Sequence, residues 1–100
     1  MIGHIVMWNF EERHEGRGKA ENLALLAERF AALRPQIQGL REMTFGINYN
    51  ESDAACDAVL QTVFETPEDL AAYDAHPEHQ KIRTFIRAFA TERRVADYVI

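Results

Sequence analysis

The first residues of the chain alternate in a way that predicts a β-strand with apolar side chains on both faces. Within residues 2–10, one face carries Ile2, His4, Val6, Trp8 and Phe10, and the opposite face carries Ile5 and Met7. A strand that is apolar on both faces must be covered on both faces. We therefore expect this strand to lie between two layers of structure.

A helical period of hydrophobic positions begins at Lys19. The apolar residues that recur at helical spacing are Leu23, Leu26, Ala27, Phe30 and Leu33. Pro35 disfavours helical geometry at the preceding residue, so the predicted helix ends near Arg34. The polar segment before the helix, residues 11–22, is predicted to be a loop, with His14 exposed to solvent.

The middle of the chain predicts two further strands. In residues 40–50 the apolar side chains of Met43, Phe45, Ile47 and Tyr49 alternate with polar or small ones. In residues 57–65, Val59 and Val63 lie opposite Leu60 and Phe64.

A second helix, broken in two, follows the third strand. Thr66 is expected to cap it, and Pro67 fits its first position. His76-Pro77 interrupts the helix, and we interpret His76 as a capping or turn residue. The second half carries on one side His79, Ile82, Phe85, Ile86 and Phe89. Residues 93–100 predict a closing strand.

The predicted order, β-α-β-β-α-β, is that of a ferredoxin-like α+β fold with a four-stranded antiparallel sheet and helices on one face. The other face is left bare, although strand 2–10 is apolar on both sides and the second strand offers Met43, Phe45 and Ile47. A second copy of the chain is the simplest cover for such a face. We therefore predict a homodimer formed through the exposed sheet face.

Composition narrows the function classes. The 100 residues fit one domain, and 47% hydrophobic with 27% charged residues is typical of a globular protein. The net charge of −5 argues against a nucleic-acid partner, because phosphate binding needs a basic patch. The single cysteine, Cys56, fits a reducing compartment and is expected to be a buried or half-buried apolar residue. Because no segment has the pattern of a signal peptide or a membrane span, the sequence predicts a cytoplasmic protein.

Three segments carry a family resemblance: MIGHIVMWNF at the start, DAVLQTVFETPEDLAAYDAHPEHQKIRTFI in the middle and RRVADYVI at the end. Together they resemble the stress-responsive A/B barrel (Dabb) domain family, and residues 1–100 are interpreted as a single such domain. The most specific part is residues 73–79, supported by His4 and by Asp97-Tyr98. The resemblance implies a homodimer whose two sheets pack face to face as a barrel. It also implies a small protein linked to stress responses, often of undetermined activity.

The resemblance further implies a chemistry that needs no cofactor. A minority of the family, the plant polyketide cyclases, closes a poly-β-ketone by intramolecular aldol condensation. The positions that match their catalytic residues are Tyr73 and His79, and His4 matches a histidine of the same pocket. In this hypothesis His79 removes a proton α to a carbonyl and Tyr73 steadies the developing oxyanion. His4 then orients a polyketide-like or aromatic ligand.

The pocket between helices and sheet is expected to be lined by Val6, Trp8, Phe30, Ile82, Ile86 and Phe89. Trp8 either fills this space or forms a stacking wall. The first interpretation is a homodimer of undetermined activity, whose pocket residues are structural or bind a ligand without turnover. The cyclase is the alternative to it, and a cofactor-free monooxygenase of the same superfold is the second alternative. A metal is not expected, because His76 and His79 are a poor ligand pair without a nearby carboxylate.

Overall fold

The computed structural model describes residues 1–100 as a four-stranded antiparallel sheet with helices on one face. The long strands are β1 (Ile2–Phe10), β4 (Leu40–Ile47), β5 (Ala58–Phe64) and β6 (Ala90–Val99), and a short hairpin is formed by β2 (Arg13–His14) and β3 (Arg17–Gly18). The helices are α1 (Lys19–Leu33), α2 (Pro67–Ala75) and α3 (Pro77–Arg87). The sheet order β4-β5-β1-β6 is the ferredoxin-like one, which confirms the predicted fold. None of the helices combines the length and the apolar character that crossing a membrane requires.

β1 lies inside the sheet, as its two apolar faces require. It pairs with β5 on one side and with β6 on the other, both antiparallel. Val6 and Trp8 point toward the helices and are almost fully buried, with 2% and 3% of their surface exposed. Burying side chains of this kind stabilises the fold by about 1.5–3 kcal/mol each. β1 is therefore the strand on which the core is built.

α1 covers the sheet with the stripe that its spacing predicts. The buried apolar residues of α1 are Leu23, Leu26, Phe30 and Leu33. The helix ends at Leu33, and Arg34–Gln36 form a short 3₁₀ turn around Pro35. The predicted end of this helix is thus confirmed, because the ring of Pro35 prevents regular helix from continuing.

The segment before α1 is more ordered than the sequence indicates. β2 and β3 pair with each other, and the fully buried Asn22 holds their strands. Its side chain accepts a bond from Arg17 Nε at 2.8 Å and donates to the His14 carbonyl at 3.3 Å. The prediction that His14 is exposed is wrong, because its ring stacks on Phe89 at a centroid distance of 5.2 Å.

The face of β4 that carries Met43 and Phe45 turns toward the helices. Both side chains pack against the core, so they do not form part of the bare face that the sequence interpretation assigned to them. The register explains this, because Phe45 pairs with Leu60, whose side chain is buried in the same core. Ile47, farther along the strand, stays 56% exposed.

The opposite sheet face has no helix over it. Ile5 and Met7 lie there on β1, and Met7 is 38% exposed. Tyr98 of β6 pairs with Gly3, and its ring crosses that glycine so closely that a Cβ on Gly3 would lie 2.3 Å from the Tyr98 Cζ atom. This face, called the open face below, is partly apolar, with Ile5, Met7, Val59, Ala96 and Tyr98 on it.

Candidate functional site

A cavity lies between the helices and the helix-facing side of the sheet. Its volume is about 290 Å³, near the lower end of the range of about 300–1,000 Å³ for ligand pockets. The lining residues are Val6, Trp8, Phe30, Leu60, Tyr73, His79, Arg83, Ile86, Arg87 and Arg93. They come from three strands and all three helices, so the cavity depends on how the two layers pack.

Tyr73 and His79 meet in the wall of this cavity. Their rings are stacked, with centroids 4.0 Å apart and planes inclined by 28°. Both side chains are buried, with 1% and 7% exposed. The Tyr73 hydroxyl and His79 Nδ1 nevertheless have no hydrogen-bond partner in the protein. Buried polar atoms are nearly always paired, so these two have capacity for an occupant of the cavity.

The break between α2 and α3 produces this contact. α2 begins at the Thr66 cap, whose hydroxyl accepts a bond from the Asp69 N–H at 3.1 Å, and it ends at Ala75. His76 then has extended backbone geometry, and its Nδ1 accepts a bond from the Glu78 N–H at 3.1 Å. The predicted capping roles of Thr66 and His76 are thus confirmed. The turn places the end of α2 beside the first turn of α3.

Burial sets the protonation states of the stacked pair. It lowers the pKa of His79 from 6.5 to about 4, because the buried imidazolium loses hydration. The nearby Asp74 carbonyl and the negative charge of the Asp74 carboxylate oppose this shift, and the charge of Arg83 adds to it. Burial also raises the pKa of Tyr73. At neutral pH the pair is therefore a neutral imidazole beside a protonated phenol.

His4 lies behind Tyr73 rather than at the cavity wall. Its ring meets the Tyr73 ring edge-on, at a centroid distance of 6.3 Å. Its Nδ1 is hydrogen-bonded to Asp97 of β6, and its carbonyl accepts a bond from the Thr62 hydroxyl at 3.0 Å. The structure thus brings His4 close to Tyr73 but gives it a carboxylate partner of its own.

The aromatic side chains form one wall of the cavity. Trp8 packs on Phe30 with centroids 6.4 Å apart and on Phe45 at 6.5 Å. The indole leaves the cavity open, so Trp8 forms a wall and does not fill the space. A flat apolar surface of this kind suits a planar ligand.

Four of the six predicted lining residues, namely Val6, Trp8, Phe30 and Ile86, border the cavity. Ile82 and Phe89 do not. Phe89 stacks on Phe10 at 4.4 Å, beneath His14, and Ile82 is buried in the core beside a separate surface groove. Ile82 and Ile86 lie about one turn apart on the same side of α3, and of the two only Ile86 borders the cavity.

Arg83, Arg87 and Arg93 also line the cavity and are absent from the sequence-based site. Two of them could have been predicted from the sequence, because His79, Arg83 and Arg87 are spaced at i, i+4 and i+8 and therefore share one face of the helix. Arg93 could be placed only from the register, in which it pairs with Trp8. No group of three or more His, Cys, Asp or Glu side chains is arranged to hold a metal ion.

The packing of three helices on one face of this sheet defines a ferredoxin-like α+β domain with a cavity between its layers. The model of the Stress responsive A/B Barrel Domain (Dabb) matches residues 2–100, and the chain belongs to that family. No curated protein matches the sequence.

Solved structures of the same fold are similar over nearly the whole chain. A dimeric ferredoxin-like protein of unknown function from Thermobifida fusca has a TM-score of 0.86 at 16% identity, covering 99% of this chain and 90% of its own. A dimeric protein of unknown function and ferredoxin-like fold from Bacteroides fragilis has a TM-score of 0.78 at 22% identity, covering 99% of this chain and 95% of its own. A hydroxynitrile lyase from Passiflora edulis has a TM-score of 0.81 at 15% identity, covering 99% of this chain and 92% of its own. At these identities the similarity establishes the fold.

Proposed function

We propose that this protein is a homodimer that binds a small carbonyl compound between its helices and its sheet and moves a proton on it without a cofactor. The observation that supports this most directly is the pair of buried, unpartnered polar atoms, Tyr73 Oη and His79 Nδ1, of two residues that line the cavity. A purely structural pair would be expected to have partners inside the protein. The fold of a hydroxynitrile lyase also accommodates small-molecule chemistry.

The roles follow from the protonation states. His79 is neutral and serves as the base that takes a proton from the carbon next to the carbonyl. Tyr73 keeps its proton and donates a hydrogen bond to the oxygen on which negative charge develops. His4, held by Asp97, packs edge-on against Tyr73 and positions that ring. In a polyketide-like ligand, the resulting carbanion closes a ring by attacking a second carbonyl.

Proton abstraction can be tested without knowing the natural ligand. The probe is an aryl methyl ketone in D₂O, and NMR follows the exchange of its methyl protons for deuterium. We expect the protein to accelerate exchange and His79→Ala to slow it by about 100-fold, the lower end for general-base catalysis. Tyr73→Phe should slow it to a similar degree, because it removes one oxyanion donor.

A matched control is Tyr49→Phe, since Tyr49 is 96% exposed and lines a different surface groove. This variant should exchange the ketone at the rate of the parent protein. Equal exchange rates for the parent protein and His79→Ala would contradict the proposed catalytic role. The cavity would then remain a binding site, and the results would favour the alternatives to proton abstraction, namely a cofactor-free monooxygenase or a purely structural pair.

The dimer is proposed from the open face. Its apolar side chains have no cover within the chain, and the fold is one for which dimeric relatives are known. Met7→Lys places a charge at the centre of that face, and sedimentation should then detect a monomer, because burying an unpaired charge is costly. Ala24→Lys, on the exposed side of α1, is the control and should stay dimeric. A monomeric parent protein would contradict this part of the proposal.

We also propose that the protein resides in a reducing compartment such as the cytoplasm.

A further inference from the structure

Three arginines surround the cavity, and no acidic side chain lines it. Arg83 is half-buried in the wall, and Arg87 and Arg93 are exposed at its opening. The chain as a whole carries a net charge of −5, so the positive charge around the cavity is opposite in sign to the net charge of the protein. The cavity is therefore electropositive within an acidic protein.

These three arginines are also the ones without a partner. Among the other arginines, Arg13, Arg17 and Arg34 donate hydrogen bonds, Arg41 and Arg94 form ion pairs, and Arg29 lies over the Phe85 ring at 4.1 Å. The side chains of Arg83, Arg87 and Arg93 form no ion pair and donate no hydrogen bond within the chain, although the Arg93 carbonyl accepts a bond from the Arg94 side chain. Their guanidinium groups have donors available for an anion.

Their placement on the fold is unfavourable unless something negative binds between them. Arg83 and Arg87 are four residues apart on α3, a spacing at which like charges repel. Arg93 approaches from β6, where it pairs with Trp8 of the aromatic wall. The charge of Arg83 acts on both His79 and Tyr73, and that of Arg93 acts on Tyr73. The arginines and the stacked pair thus belong to one electrostatic site.

We propose that the ligand of this cavity is a planar organic acid, whose carboxylate is bound by Arg83, Arg87 and Arg93. The inference rests on the proposed function for the cavity and adds the class of ligand. Arginine is suited to this task, because its planar fork matches the two oxygens of a carboxylate. The flat walls of Trp8 and Phe30 then hold the apolar body of the acid. Tyr73 and His79 lie beyond it, at the neutral end of the ligand.

The experiment compares an acid with its neutral isostere by titration calorimetry. Benzoate and benzamide have the same size and shape but differ in charge. We expect benzoate to bind at least about tenfold more tightly, because its hydrogen bonds to the arginines are charge-assisted. Inorganic phosphate serves as the second anion and should bind more weakly than benzoate, since it makes no use of the aromatic wall.

Variants of the arginines locate the effect. Arg83→Gln and Arg93→Gln should each lower benzoate affinity by about tenfold while leaving benzamide affinity unchanged. Arg94→Gln is the matched control, because Arg94 follows Arg93 directly, points to the open face and pairs with Glu92. It should bind benzoate as the parent protein does. Circular dichroism establishes that each variant is folded, and the two single variants test the site independently.

The outcomes separate this inference from the proposed function. Equal binding of benzoate and benzamide would overturn the anion site and leave the cavity and its proton transfer intact. Binding of neither compound would overturn both. Phosphate binding as tight as benzoate binding would overturn the assignment to an organic acid. An equal loss of affinity in Arg94→Gln would show that the attraction comes from the general surface charge, and it would overturn the site as well.

Discussion

The rings of Tyr73 and His79 stack at a centroid distance of 4.0 Å, yet each keeps one buried polar atom without a partner. Their stacking is an ordinary packing contact, but the two unpaired atoms cost stability in the free protein. Proteins tolerate such a loss of stability mainly at functional sites. The stability of variants at these two positions therefore separates a functional role from a structural one.

Tyr73→Phe removes the unpaired hydroxyl and keeps the ring in place against His79. We expect this variant to be as stable as the parent protein or more stable by about 1 kcal/mol, because an unsatisfied buried group is lost. Urea unfolding at neutral pH measures the difference. A loss of more than about 1 kcal/mol would mean that the hydroxyl has a structural partner, and the free-donor interpretation would be wrong.

His79 should make stability depend on pH within a defined window. Its pKa is about 4 in the folded protein and 6.5 without the fold. Between these values the unfolded chain binds more protons, so the stability that His79 contributes is present above pH 6.5 and is lost as the pH falls toward 4. The loss is on the order of 3 kcal/mol.

NMR titration of the imidazole and urea unfolding at several pH values measure this effect. His79→Phe is the comparison, since its ring can stack on Tyr73 but cannot titrate. The difference in unfolding free energy between the two proteins should change through the window and be constant above it. An NMR midpoint near 6.5 would instead indicate a solvated imidazole, and the argument for a neutral buried base would not hold.

Proton-transfer activity should follow the same titration. Only neutral His79 can take a proton, so ketone exchange should be constant at neutral pH and fall as the pH drops through about 4. The measurement is the exchange rate of the parent protein as a function of pH, under conditions where circular dichroism reports folded protein. A fall centred near 6.5 would identify a different base.

Much of the fold and part of the site could be predicted from the sequence. The capping roles of Thr66 and His76 were predictable because caps and proline positions are local signals. The face of β4 was not, because alternation identifies an apolar side without indicating which layer it meets. Only the pairing of Phe45 with Leu60 assigns it to the helices.

The cavity could be predicted less well, for a physical reason. An amphipathic helix has one apolar stripe, but α3 contacts both a filled core and an open cavity. Ile82 belongs to the first, as does Phe89 just beyond the end of the helix, whereas Ile86 belongs to the core and also borders the cavity with Arg83 and Arg87. Charged side chains on a helix are usually solvated, so their position beside a cavity emerges only when the opposite wall, with Arg93 and Trp8, is known.

The close approach of Gly3 and Tyr98 gives a prediction for the open face. A Cβ at position 3 would lie 2.3 Å from Tyr98 Cζ, so Gly3→Ala must displace the tyrosine ring. Because the ring end of a side chain that is 41% exposed can move, we expect a modest loss of about 1 kcal/mol in unfolding free energy. Adding Tyr98→Ala should remove most of the effect of Gly3→Ala. Additive losses in this double-mutant cycle would mean that the two residues do not interact in solution.

Trp8 should report ligand binding directly, since it is the only tryptophan of the chain and lines the cavity. It is 3% exposed, so the free protein should emit at short wavelength and resist quenching by iodide. An aromatic acid bound against the indole should change the emission, with a midpoint equal to the calorimetric dissociation constant. Arg83→Gln should shift that midpoint to about tenfold higher concentration, whereas Arg94→Gln should leave it in place. If calorimetry detects binding while the Trp8 emission stays constant, the acid occupies another site, and the position assigned to it between the aromatic wall and the arginines is wrong.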